Sequence, residues 1–164
     1  MTARRSIFAA LLLVSSALPV RSDEPPQPLT AREWVTLRAM SRMGAYAEVC
    51  AQRMQDTRPA WERALASIRA TVTRVTEQQL ATRRFAGLDT VSVAAGRSAE
   101  LRNGVEAART KLVARLETQD PDAHCLQYLR NAQGFDDEAL KPIVVDALAS
   151  FRAVFPAASS GRPP

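Results

Sequence analysis

Aromatic side chains are scarce in this sequence: two Trp, two Tyr and five Phe among 164 residues. The chain can bury a core, but not an aromatic-rich one, and it has few platforms on which nucleic-acid bases could stack. Six glycines argue against a Gly-rich phosphate cradle and against a turn-rich β-sandwich. His124 is the only histidine, so a His-dependent catalytic triad and a two-His metal site are both excluded. Cysteine appears twice, at Cys50 and Cys125, with neither a C-x-x-C motif nor the C-x-x-C-H signature of haem attachment. Lysine is nearly absent: 20 of the 22 basic residues are arginine.

What is present begins with an address. Arg4 and Arg5 precede an apolar run from Ile7 to Val14 that continues with interruptions to Val20, broken by Pro19, and then Val20-Arg21-Ser22. That order is the pattern of a secretory signal peptide, residues 1–22, with cleavage expected after Ser22 and an earlier alternative around Ser15 and Ala17. A retained membrane helix is the competing reading, disfavoured because Ser15, Ser16 and Pro19 interrupt the run before Arg21. No cysteine lies near the junction, so a lipid anchor there is excluded. The expected localisation is periplasmic or secreted.

Removing that segment changes the meaning of the charge. The whole chain carries +5 with a pI near 10.0, which by itself suggests nucleic acid or a membrane surface. The segment holds three arginines and no acid, so residues 23–164 carry only +2. The remaining charge is unevenly placed: −1 over residues 23–56, +6 over 57–115 and −3 over 116–164. No nucleic-acid partner is expected.

In an oxidising compartment the even cysteine pair predicts a Cys50–Cys125 disulfide rather than a redox or metal-binding thiol. The rest reads as helix. Residues 23–29, with three prolines, predict an extended leader, and structure is expected from Thr30. Thr30 and Glu33 form a capping box opening a helix to about Gln55, with Trp34, Leu37, Met40, Met43, Ala47, Cys50 and Met54 at helical spacing. That apolar face is wide enough to be flanked on two sides. Pro59 starts a second helix to about Arg84, with Trp61, Leu65, Ile68, Val72 and Val75 inward. Gly87 is the expected stop and Asp89 the next N-cap, with a third helix through Leu116 or Glu117, weakened by Gly96 and Gly104, lying antiparallel to the second.

Asp120-Pro121 predicts a fourth helix to about Ala132, stopped by Gly134, with Cys125 and Leu129 facing inward and Tyr128 a further candidate for that face. A fifth ends before Pro156, either kinked at Pro142 or preceded by a separate turn over Asp136–Leu140; its inward face is Ile143, Val144, Ala147, Leu148, Phe151 and Val154. Residues 156–164 predict a disordered tail. No strand signal stands out. The expected fold is all-α: a single domain over residues 30–155, a four- or five-helix bundle in which the disulfide ties the first helix to the fourth.

Candidate chemistry is thin. Asp136-Asp137-Glu138 lacks the Asp-x-Asp-x-Asp-Gly spacing of a calcium loop and reads more simply as acids at a helix N-terminus. His124 reads as a packing or surface side chain beside the disulfide, and Met40, Met43 and Met54 as gap fillers rather than a haem or ligand pocket. Arg69, Arg102 and Arg109 each follow a seam residue and fall at similar heights on the two central helices. They form the candidate anion- or partner-binding stripe. The plainer alternative is that they are solvated flank residues whose charge is met by Glu106 or Glu62. With no nucleophile–base pair, metal cluster or phosphate loop, no cofactor and no metal are expected, and the chain reads as a binding protein of inhibitor, immunity or envelope accessory type. Its partner would be another envelope or secreted protein. The alternative is a small helical enzyme that stabilises an anionic substrate with interhelical arginines.

Overall fold

A computed structural model of the chain describes residues 27–119 and 122–154; the expected signal peptide, most of the Pro-rich leader, Asp120-Pro121 and the 156–164 tail lie outside them. Among the described residues five helices form an all-α bundle: α1 (Ala31–Arg53), α2 (Arg58–Leu80), α3 (Ala95–Gln119), α4 (Ala123–Gln133) and α5 (Asp137–Val154). Helix α1 is the central element and packs against all the others. Its N-terminus carries the expected capping box: the Glu33 amide donates to the Thr30 hydroxyl at 3.3 Å, and the Thr30 amide donates to Glu33 Oε2 at 2.8 Å.

A central helix must be buried on several sides, and α1 meets that demand with small residues. Ala31, Ala39, Ala45, Ala47 and Ala51 are buried beside Trp34, Val35, Val49 and Cys50, whereas Leu37, Met40 and Met43 are only half-buried. Alanine lets neighbouring helices approach closely without a polar group to satisfy. Cys50 and Cys125 are bridged, with sulfurs 2.10 Å and Cα atoms 5.3 Å apart, fastening α4 to α1. Arg53, in the last turn of α1, donates to the carbonyls of Leu116 and Glu117 at 3.0 and 2.9 Å and lies 3.3 Å from Asp122. One guanidinium thus meets orphan carbonyls at the end of α3 and a carboxylate at the start of α4.

The segment between α2 and α3 departs most from expectation. Helix α2 stops at Leu80, not near Arg84, because the chain turns so that Phe85 can be buried beneath the guanidinium groups of Arg84 and Arg152. Gly87 adopts φ 82°, the left-handed conformation that favours glycine, but some distance past the helix. Asp89 is not the N-cap of α3. It sits in a single 3₁₀ turn, Leu88–Thr90, whose Leu88 is buried, and α3 begins only at Ala95. Between them Ser92–Val93 (β2) pairs antiparallel with Leu29–Thr30 (β1), in the register Leu29↔Val93 and Thr30↔Ser92. Order therefore includes Leu29, which is fully buried, and a two-residue ladder stands where no strand is expected. The buried Ser98 hydroxyl of α3 adds a bond to the Gln27 carbonyl at 2.8 Å.

The fourteen-residue stretch 81–94 leaves α3 free to leave α2. Helix α3 packs on α1, and α2 and α3 do not form the antiparallel packed hairpin that a short turn would have imposed. Helix α2 instead meets α1, α4 and α5, and Arg32 of α1 holds Glu77 of α2 with Nε–Oε1 2.6 Å and Nη2–Oε2 3.0 Å. That hydrogen bond, and the guanidinium charge behind it, keep the Glu77 carboxyl below its ordinary range. The Arg74 pair does the same for Asp137, linking α2 to α5.

Helix α5 runs through Pro142, so of the two sequence alternatives the separate turn over Asp136–Leu140 is the one that does not form. Asp136 caps it, Oδ1 accepting from the Ala139 amide at 2.9 Å, and Asp137 and Glu138 occupy the first turn. Its inner face is Leu140, Val144, Ala147, Leu148 and Phe151. Trp34 locks this face to α1, its indole N–H donating to the Ala147 carbonyl at 3.1 Å and to Ser150 Oγ at 2.9 Å. Pro142 is exposed and cannot donate to the carbonyl four residues earlier. Pro142→Ala is expected to raise stability by about 1 kcal/mol, the regained helical bond being partly offset by a freer unfolded chain. Urea unfolding checks this; a loss of stability would show that the proline-shaped helix is needed for packing. No helix among the described residues is long and apolar enough to cross a membrane.

Candidate functional site

Because α3 packs chiefly on α1, the two helices leave a groove between them. It encloses about 500 Å³. Trp34 of α1 and Leu101, Val105 and Leu112 of α3 give it an apolar floor, and Arg38, Arg42 and Arg109 supply cations against one lining carboxylate, Glu100. Gly104 stands in its wall, where an added Cβ would meet nothing within 4 Å. Few residues of α3 are buried at all, Ser98 and Leu116 among them, so most of its apolar seam is half-buried at best.

The cations differ in how their charge is met. Arg109 is held by Glu48 of α1 and by Glu106 at 2.9 Å, as the plainer sequence reading anticipated for Glu106. Arg38 lies 3.4 Å from Asp146 of α5 and 5.5 Å from the Trp34 ring. Arg42 is exposed and has no ion pair or hydrogen bond among the described residues. It also lines two neighbouring hollows, one of about 360 Å³ with Arg38, Pro142 and Asp146, and one of about 270 Å³ on the side of α2 and α4.

This last hollow collects aromatics. Tyr46 of α1, Trp61 of α2, Tyr128 of α4 and Phe135 line it, with Met43, Ile143 and Arg42. The two tyrosine rings stand 4.6 Å apart and tilted by 53°. Trp61 is 2% exposed, and its indole N–H has no acceptor among the described residues. A buried donor without an acceptor carries a desolvation penalty of about 1–3 kcal/mol unless water or a ligand meets it.

The three sequence-selected arginines do not converge. Arg109 joins the groove; Arg102 stays on α3, its Nε 3.4 Å from Ser98 Oγ; Arg69 is exposed on α2, which packs chiefly on α1, α4 and α5. Arg38 and Arg42, four residues apart on α1, take the place the stripe was expected to fill. The only sequence signal for them was membership of α1, since every helix of this chain carries exposed arginines. His124 is exposed, with its ring 6.0 Å from Tyr128. Asp136, Asp137 and Glu138 are engaged separately, in the cap, with Arg74 and near Lys141. Among the described residues no cluster of three or more His, Cys, Asp or Glu could hold a metal ion. Of the three methionines singled out, Met43 lines the aromatic hollow.

The geometry thus defines a disulfide-linked five-helix bundle with an arginine-rimmed apolar groove on one side of its central helix and an aromatic hollow on another. No family model, no curated protein and no solved structure matches the chain.

Proposed function

We propose that this is an exported, non-enzymatic protein that binds another protein of the envelope or the secreted fraction through the α1/α3 groove. The observation that carries the reading is the groove itself, an apolar floor bordered by Arg38, Arg42 and Arg109 and backed by a helix that packs chiefly on α1. An amphipathic helix with an apolar stripe and acidic flanks is the complementary partner: the stripe desolvates Leu101, Val105 and Leu112 while carboxylates meet the arginine rim. Export rests on the signal-like N-terminal pattern and is supported by the Cys50–Cys125 bridge, a bond that persists mainly outside reducing compartments.

Gly104 offers a clean test. Its position is open, so Gly104→Leu fills the groove without disturbing packing and removes a helix-interior glycine, which favours stability by up to about 1 kcal/mol. Capture of a specific partner from envelope extract by the wild-type chain is expected, with a loss of at least about tenfold in the variant while its melting temperature holds or rises. Failure of the wild-type chain to capture any specific partner, or equal capture by the variant, would remove the reading.

A further inference from the structure

We infer that the aromatic hollow between α1, α2, α4 and α5 is a binding site for a small one-ring aromatic carboxylate, adjoining the partner groove, with which it shares Arg42. Three observations converge on it. The first is concentration: in a chain with only nine aromatic residues, both tyrosines, one of the two tryptophans and one of the five phenylalanines line this single hollow. Tyr46, Tyr128 and Phe135 are half-buried there, so their faces are not spent on packing alone.

The second is polarity. No acidic residue lines the hollow, whereas Arg42 does and has no counter-ion among the described residues. Asn131 adds a neutral amide to the lining. The lining as a whole suits an anion with an apolar body. The third is size. A hollow of about 270 Å³ exceeds the roughly 150 Å³ apolar cavity that accommodates benzene, and falls below the usual range for drug-sized ligands, which leaves room for one ring and a short carboxylate arm.

Trp61 also backs a hollow of about 440 Å³ between α1 and α2, but there Glu48 and Glu62 already oppose Arg58 and Arg109, so that space presents both signs and selects no anion. In the proposed pose the ring stacks among Tyr46, Tyr128 and Phe135 and the carboxylate faces Arg42.

The two tryptophans make the test internal. Titrating phenylacetate into the intact disulfide-bonded chain and following the two indole N–H resonances by ¹⁵N-correlated NMR is expected to move the Trp61 signal saturably, with Kd of about 1 mM or tighter. The Trp34 signal should stay in place, because that N–H is already bonded to Ala147 and Ser150. Toluene, which lacks the charge, and acetate, which lacks the ring, should each bind at least about tenfold more weakly. Arg42→Gln, an exposed change, should weaken phenylacetate about tenfold, and Phe135→Ala, on the aromatic side of Trp61, should weaken it too. No saturable shift up to about 10 mM, equal movement of both indoles, or unchanged binding in Arg42→Gln would overturn the site. None of these outcomes bears on partner capture, which Gly104→Leu reads separately.

Discussion

A chain carrying Cys50→Ala and Cys125→Ala is expected to lose about 4 kcal/mol of stability, and wild-type protein unfolded with reductant present should lose a similar amount. The bridge spans 75 positions, and closing a loop of that length removes much of the freedom of the unfolded ensemble. Alanine is the right replacement because both cysteines are buried, and serine would add two hydroxyls in need of partners. The loss should fall unevenly. Helix α4 has eleven residues and buries only Cys125, Leu129 and Ala132, too short to persist alone and too sparsely anchored to persist on packing. Amide exchange should therefore accelerate first across α4, together with the Tyr46–Tyr128 contact that it supports. A measured loss under about 1 kcal/mol, with α4 amides still protected, would show that α4 is held by packing rather than by the bond.

That bond was readable from composition, and so was a bundle of four or five helices, because each rests on local information. The Thr30/Glu33 capping box, Pro59 in the first turn of α2 and Gly134 after α4 are properties of a few neighbouring residues, and the structure uses them as the spacing predicts. What escaped is non-local. A two-residue ladder between Leu29–Thr30 and Ser92–Val93 has no periodicity to detect, yet it consumes the residues assigned to the start of the third helix. The place of α1 at the centre is likewise invisible in its own sequence. Ala39, Ala45 and Ala51 look neutral on a helical wheel and become core only because other helices close over them.

The candidate site failed to emerge for the same reason. Choosing Arg69, Arg102 and Arg109 assumed that α2 and α3 form a hairpin, and once α3 packs on α1 that geometry dissolves. Arg42 becomes prominent through what surrounds it: an apolar groove, an aromatic hollow and the absence of a carboxylate partner among the described residues. One exposed arginine in twenty carries no mark of this in the sequence.

Phe151→Ala is expected to destabilise the bundle by about 3–5 kcal/mol. Phe151 is fully buried on the inner face of α5, among the largest side chains that the core encloses, and α5 meets both α1 and α2. Truncation removes the ring's transfer free energy and leaves a cavity whose walls relax only partly. Those walls are restrained, since Trp34 fixes α5 to α1 at Ala147 and Ser150, and the Arg74–Asp137 pair ties its first turn to α2. Phe151→Leu, which keeps most of the volume, should lose under about 2 kcal/mol, so the difference between the two variants reports the cavity rather than a loss of helix. Urea unfolding with unchanged slope checks this, and a Phe151→Ala loss below about 1.5 kcal/mol would mean that α5 collapses into the space. The bridge acts mainly on the unfolded chain and the ring on the folded core, so the two losses should add to about 7–9 kcal/mol. Against a domain stability of roughly 5–15 kcal/mol, the triple variant should be substantially unfolded wherever the wild type is stabilised by less than about 8 kcal/mol.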